Sequence, residues 1–333
     1  MKSRRDAILE GAKAAARLHQ QLDSRRIVEA QGSSVDVFGA IVKEKIPLLF
    51  RPLEGLLGAF VPAGQVAGII VTTQRPLSVQ RFTGAHELGH SEMGHEASLD
   101  DESMLTRAES PGWNYDPREV AANSFATAFL LPKWLLISQA ARHHWTRRDL
   151  TNPKVVYQLS LRAGASYHAT CIALLRHELI DDATFGALRA VEVKAIKQEL
   201  LDGYLLENWF PDVWVLTESD EGTTLEGDSR DAFVVRLKEA SGAGYLWNID
   251  DLNSAGFVFF RDERIIPTSD EDVGGDVERV LGIRPGESRV GHIDLQHARP
   301  WESAEPLGRL SFAFDLRGKE NGRPRAERRM AAA

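Results

Sequence analysis

The stretch Arg81-Phe82-Thr83-Gly84-Ala85-His86-Glu87-Leu88-Gly89-His90 constrains this 333-residue chain more than any other. It contains H-E-x-x-H. On an α-helix, positions i and i+4 lie one above the other. His86 and His90 therefore point the same way and can grip one zinc ion through two ring nitrogens. Glu87, beside the first histidine, can reach a water held by that metal. Zinc lowers the pKa of such a water toward neutrality, and a nearby carboxylate then takes its proton. A catalytic zinc keeps three protein ligands and one open position, so a third ligand has to follow the motif. The bland alternative is a helical face with two solvated histidines. It leaves unexplained both the strand–turn–helix pattern ahead of the motif and the helix downstream.

That later helix begins at Pro117 and stops at Pro132. Proline suits a first helical turn and ends a helix where it cannot donate a backbone hydrogen bond. Glu119 opens this helix and is the expected third ligand. Taken alone, a carboxylate in a first turn is explained by the helix dipole. Val120, Phe125, Phe129 and Leu130 are expected to pack inward.

Composition narrows the setting. A single cysteine, Cys171, excludes an intramolecular disulfide and points to a reducing, cytoplasmic compartment. Cys171 stands among apolar residues and reads as core rather than nucleophile. A net charge of −8 argues against broad nucleic-acid binding by the whole chain. No run approaches 18 apolar residues, and charges interrupt the N-terminus, so neither a membrane span nor a signal peptide is expected.

The order of elements predicts an α+β protein. Helices are expected over 4–22 and 35–43, and short strands over 46–51, 57–61 and 65–73. The apolar run Val66–Val71 suits a strand whose edge pairs with an extended peptide. The metal helix spans 78–94, and 97–116 reads as a loop, with Tyr115 a weak candidate for stabilising an oxyanion. Residues 155–176 read as helix, glycine-containing turn, helix, the layout of a helix-turn-helix. The basic run Arg142–Arg148 precedes it. DNA contact is one reading of this segment. Packing against the rest of the protein is favoured, because a helix-turn-helix shape does not establish function. From Trp209 to Arg317 short strands alternate with glycine-rich or acidic turns, the pattern of a β-sandwich. The expected division is 1–149, 150–206 and 209–317, with 318–333 a polar, basic, disordered tail.

The motifs resemble a family. R-F-T-x-A-H-E-L-G-H followed by E-x-x-A-N-x-F-A-x-x-L-L-x-P is the pattern of the ImmA/IrrE zinc metallopeptidases. Here the second part runs Glu119 to Pro132, with Phe129 for the first leucine. The resemblance covers about residues 30–180. It implies a zincin-like domain with a short sheet, one zinc on His86, His90 and Glu119, and Glu87 as general base. Many members carry a histidine four residues after the second ligand. Gly94 stands there and the histidine is His95, which reads as a surface residue or a support for the ligands. The C-terminal region resembles the chagasin-like immunoglobulin-fold inhibitors of papain-type cysteine peptidases. Arg299-Pro300-Trp301 carries their R-P-W loop. Gly274-Gly275 keeps part of a G-x-G-G loop. Gly244-Tyr245-Leu246-Trp247 keeps the end of N-P-T-T-G-Y-x-W and has lost its Asn, Pro and both Thr.

The expected function is a cytoplasmic zinc endopeptidase that cuts a regulatory protein. The family resemblance implies a helix-turn-helix repressor or an antitoxin, cut in a stress, phage or toxin–antitoxin response. Tyr245, Trp247, Gly274, Gly275, Arg299, Pro300 and Trp301 would form partner-binding loops. Two other readings stand beside it. One is a zinc-containing regulator that binds DNA or protein without cutting. The other is a cysteine-peptidase inhibitor acting through the sandwich. Histidine ligands must be neutral to bind metal, so acid below about pH 6 should release the zinc.

Overall fold

The computed structural model describes residues 3–63, 66–96, 98–101, 116–266, 277–302 and 305–326. Helix α1 (Arg4–Gln21) starts on a capping box, in which Ser3 accepts from the Asp6 amide and Asp6 from the Ser3 amide. α2 (Ser24–Gln31) and α3 (Val37–Lys43) follow. α2 lies outside the expected helices, because Ile27 and Val28 are adjacent and show no period.

The first sheet contains β1 (Leu48–Arg51), β2 (Leu56–Ala63), β3 (Val66–Thr72) and β4 (Ser98–Asp101). Their order is β1-β3-β2-β4, with β1 and β3 parallel and the other pairs antiparallel. This corrects one expectation. β3 is flanked by β1 and β2, so both its edges are taken and it has none to offer a peptide. Its unbroken apolar run suits an inner strand, and Ile69, Val71 and Thr72 are buried. β4 falls inside the stretch expected to be loop. Among the described residues it pairs only with β2, which makes it the edge. Helix α4 (Leu77–Glu92) packs on β2 and β3 of this sheet, α5 (Pro117–Leu130) packs across α1 and α4, and α6 (Lys133–Arg142) follows Pro132. α5 and α6 together are apolar enough in composition to cross a membrane, yet α5 spends Phe125, Phe129 and Leu130 on the protein core.

α7 (Pro153–Arg162) and α8 (Tyr167–Arg176) form the expected helix pair, followed by α9 (Asp182–Arg189) and α10 (Val193–Leu201). Two four-stranded sheets make the C-terminal sandwich. One has β5 (Val213–Leu216), β7 (Ala232–Glu239), β10 (Val277–Arg284) and β9 (Val258–Ile265) in the order β5-β7-β10-β9. The other has β6 (Thr224–Glu226), β12 (Gly308–Asp315), β11 (Val290–Ala298) and β8 (Leu246–Asn248) in the order β6-β12-β11-β8. Trp214, Phe233, Val235 and Leu281 face the second sheet and fill the sandwich core. Val213, Ala232, Val234 and Val280 face the other way and join the core of the helical part. With both faces covered, β7 reads as a continuous run, Ala-Phe-Val-Val, rather than as an alternation.

α7 covers the edge of β5 with side chains that imitate a neighbouring strand. Tyr157 Oη accepts from the Val213 amide at 3.0 Å. Gln158 donates to Val213 O and accepts from the Val215 amide, both at 2.8 Å. Arg162 donates to Val215 O at 2.7 Å and makes a buried ion pair with Asp220 at 2.8 Å. Part of the basic run also bonds within the protein, although His144, Arg147 and Arg148 are exposed. Arg142 donates to Glu221 O, Arg147 donates to the carbonyls of Glu178 and Leu179, and His143 stacks on Trp145. The helix pair thus spends one face on the sandwich.

The tail departs from expectation over its described part. Gly322 exchanges both backbone hydrogen bonds with Phe50 on β1. Gln80 of α4 accepts from the Glu320 amide and donates to the Glu320 carbonyl. A polar sequence becomes ordered here because its backbone groups find partners on a sheet edge and a buried glutamine.

His19 stacks on Phe129 at 4.6 Å, and burial lowers its pKa to about 4. The unfolded chain takes up this proton near pH 6.5, the folded chain only near 4. Stability therefore falls as the pH drops through that window, by about 2 kcal/mol at pH 5. Urea midpoints at pH 7 and pH 5 should differ accordingly, and His19→Phe should shrink the difference. An equal difference in the variant would contradict this account.

Candidate metal centre

His86 and His90 fall on consecutive turns of α4 with ring centroids 4.7 Å apart, and both are buried. α5 crosses α4 at Gly89, where a Cβ would stand 2.9 Å from the Phe125 ring. Asp116 caps α5 by accepting from the Arg118 amide at 2.8 Å. The Arg118 side chain also bonds to Asp116 and holds its carboxyl below the usual range, so the cap stays charged. That start puts Glu119 in the first turn, facing α4. Its carboxylate lies 3.3 Å from His86 Nε2 and 3.5 Å from His90 Nε2, and the two Nε2 atoms are 2.9 Å apart. Among the described residues this is the one cluster of three or more such side chains with metal-ligand spacing.

The arrangement fits a metal ion. His86 Nδ1 lies 3.1 Å from Asn123 Oδ1. An amide oxygen only accepts, so the ring hydrogen sits on Nδ1 and Nε2 turns a lone pair inward. Lone pairs of two rings and a carboxylate then converge on one point, which a cation relieves. Two imidazoles and a glutamate form a ligand set that catalytic zinc takes, with the fourth position left open. Asn123 belongs to the downstream motif, but only the structure shows what it touches.

Glu87 is fully buried and leans on β2. A Cβ at Gly58 would lie 2.9 Å from Glu87 Oε1 and 2.4 Å from Thr83 Cγ2. Gly58 stands where the pairing of β2 with β4 shifts register between Leu56 and Gly58. Irregular pairing of this kind re-aims groups beside sites. Gly58→Ala is expected to push Glu87 aside; if the centre binds zinc and hydrolyses peptides, kcat should fall roughly 10²-fold with metal content unchanged. Loss of zinc without loss of rate per bound zinc would contradict this.

The expected partner loops divide. Arg299 donates to Ala243 O at 3.0 Å and stacks over Tyr245 at 4.6 Å. Trp301, 69% exposed, lies against Gly244. These residues and Pro300 gather at one end of the sandwich. Trp247 does not join them. It is 4% exposed, donates to Lys238 O and stacks on His297, because its position on β8 turns it into the sandwich core. Gly274, Gly275 and Tyr115 lie outside the described residues. β12 runs from Gly308, at the Trp301 end, to Asp315, at the end where Arg81 of α4 meets Glu226. At about 3.4 Å per residue the tip is some 24 Å along the strand from that junction.

A His-His-Glu cluster on crossed helices, with both histidines buried, joined to a two-sheet sandwich, defines a metallopeptidase-like domain fused to an immunoglobulin-like one. Residues 44–175 match the family model of the IrrE N-terminal-like domain, Peptidase_M78, and 213–316 match the Chagasin family peptidase inhibitor I42. The chain thus carries an IrrE-like domain followed by a chagasin-family domain. Amoebiasin-2 of Entamoeba histolytica is 25% identical over 123 residues, 37% of this chain and 100% of that protein. The crystal structure of the cysteine protease inhibitor EhICP2 from Entamoeba histolytica aligns at 24% identity over 33% of this chain and 100% of that one, with a TM-score of 0.29. The solution structure of Amebosin aligns at 20% identity over 32% and 97%, with a TM-score of 0.26.

Proposed function

We propose that this chain is a zinc-dependent endopeptidase acting on a regulatory protein, with the sandwich as its protein-recognition module. The observation that carries the reading is the convergence of His86, His90 and Glu119 beside a buried carboxylate, Glu87. Zinc, when bound, would supply a Lewis acid for the scissile carbonyl and the attacking water. Among the described residues β4 has a strand partner on one side only, and an extended substrate strand would add to its other side, which fixes the peptide's direction past the site. Glu87 takes the proton of the attacking water and delivers it to the leaving amine. Its burial beside Gly58 excludes bulk water from that carboxylate. Following the family resemblance, the substrate is a helix-turn-helix repressor or an antitoxin. The zinc-loaded full chain should cut a repressor encoded beside it, and the chelated chain should not. Equal results with and without metal would sink the reading.

A second activity is supported by the chagasin-family match: binding of a papain-type cysteine peptidase through the tip around Trp301. The tip lies well along the sandwich from the peptidase-like domain, so both activities fit one chain. If the full chain inhibits such a peptidase, Trp301→Ala should weaken inhibition about 30-fold or more, the size of an interface hot spot. Its exposure means the fold will tolerate the change. Unaltered inhibition would move the contact elsewhere.

A further inference from the structure

We propose that His95 is a positioning residue for the metal centre, holding the ring of His90 as Asn123 holds that of His86. The proposal rests on the zinc reading above. α4 stops at Glu92, and Gly94 adopts a φ of 65°, the left-handed region that favours glycine. The Gly94 amide donates to Ser91 O at 3.1 Å and the His95 amide to His90 O at 2.9 Å. These two bonds close a helix-ending turn that reverses the chain. A continuing helix would stack residue 94 above His90. The turn instead brings His95 alongside, with ring centroids 5.1 Å apart and the two Nδ1 atoms at 3.0 Å.

Two ring nitrogens at that distance share one hydrogen, so one donates and the other accepts. The inward nitrogen of His90, Nε2, faces Glu119 and His86 Nε2 and has to keep its lone pair to bind metal. The neutral ring therefore carries its hydrogen on Nδ1, and His95 Nδ1 accepts it. His95 is no fourth ligand, because it meets the outer nitrogen of His90. Partners of this kind fix the tautomer and orientation of a ligating ring, and losing one costs ~10–100-fold in metal affinity.

The test measures zinc affinity by chelator competition at pH 7.5 on full-length protein: unaltered, His95→Ala, His95→Gln and Asn123→Ala. His95→Ala and Asn123→Ala should each weaken zinc ~10–100-fold. His95→Gln, whose amide oxygen can accept the same hydrogen, should stay within about threefold of the unaltered protein. Thermal unfolding of the metal-free proteins should coincide, separating a local role from a folding one. Tight binding by His95→Ala, or equal losses in the Ala and Gln variants, overturns the proposal. Absence of zinc binding by the unaltered chain would overturn the metal reading itself, and His95's role with it. Normal binding there with an indifferent His95→Ala overturns only the role of His95.

Discussion

Full-length protein carrying Glu87→Gln is expected to keep one zinc per chain and to lose peptide hydrolysis by about 10²–10⁴-fold, the contribution of a positioned general base. Glutamine has nearly the shape of glutamate, so the buried seat against Gly58 and Thr83 stays filled. It cannot take a proton from water. The proposed ligand atoms are on His86, His90 and Glu119, whose mutual distances do not involve residue 87. Metal content should therefore hold while turnover collapses. Hydrolysis at the unaltered rate would remove Glu87 from the chemistry, and loss of zinc would place it among the ligands. Metal analysis beside a cleavage time course distinguishes these outcomes.

Asp220→Ala is expected to destabilise the chain by about 3–5 kcal/mol, because it strands a buried charge. Arg162 donates to Asp220 through Nε at 3.1 Å and Nη2 at 2.8 Å, and both side chains are almost wholly buried between α7 and the sandwich. Trp145 and Trp214 flank the guanidinium at 5.8 and 5.9 Å. Replacing both members, as Arg162→Leu with Asp220→Leu, should cost less than Asp220→Ala alone, since no uncompensated charge remains. Urea unfolding of the three proteins checks the order. If the double variant is the least stable, the ion pair holds the interface together by more than mutual compensation.

Much of the candidate metal centre is legible in the sequence. The spacing of His86 and His90 dictates their shared direction, and Pro117 and Pro132 bracket the helix that presents Glu119. Gly94 signals the end of α4, because glycine one step past a helix adopts the left-handed turn that brings His95 back. Other features are not local. Gly58 is unremarkable in sequence, and its closeness to Glu87 depends on how β2 meets α4. β10, Val277–Arg284, has a central apolar run, Val280-Leu281-Gly282-Ile283, that serves two cores at once and so lacks the alternation of a half-buried strand. The polar tail shows no sign of the backbone partners that Phe50 and Gln80 provide.

Local geometry explains what the sequence by itself determined: a two-histidine helix, a carboxylate opening a later helix, and an all-β C-terminal region. Each follows from periodicities of 3.6 or 2 and from where proline and glycine break them. Tertiary structure alone decided which strand is outermost among the described residues, that Trp247 turns inward while Trp301 does not, and that the helix pair is spent on covering β5. Those outcomes depend on contacts between residues far apart in the chain, where packing and backbone pairing choose among arrangements that local pattern leaves equal.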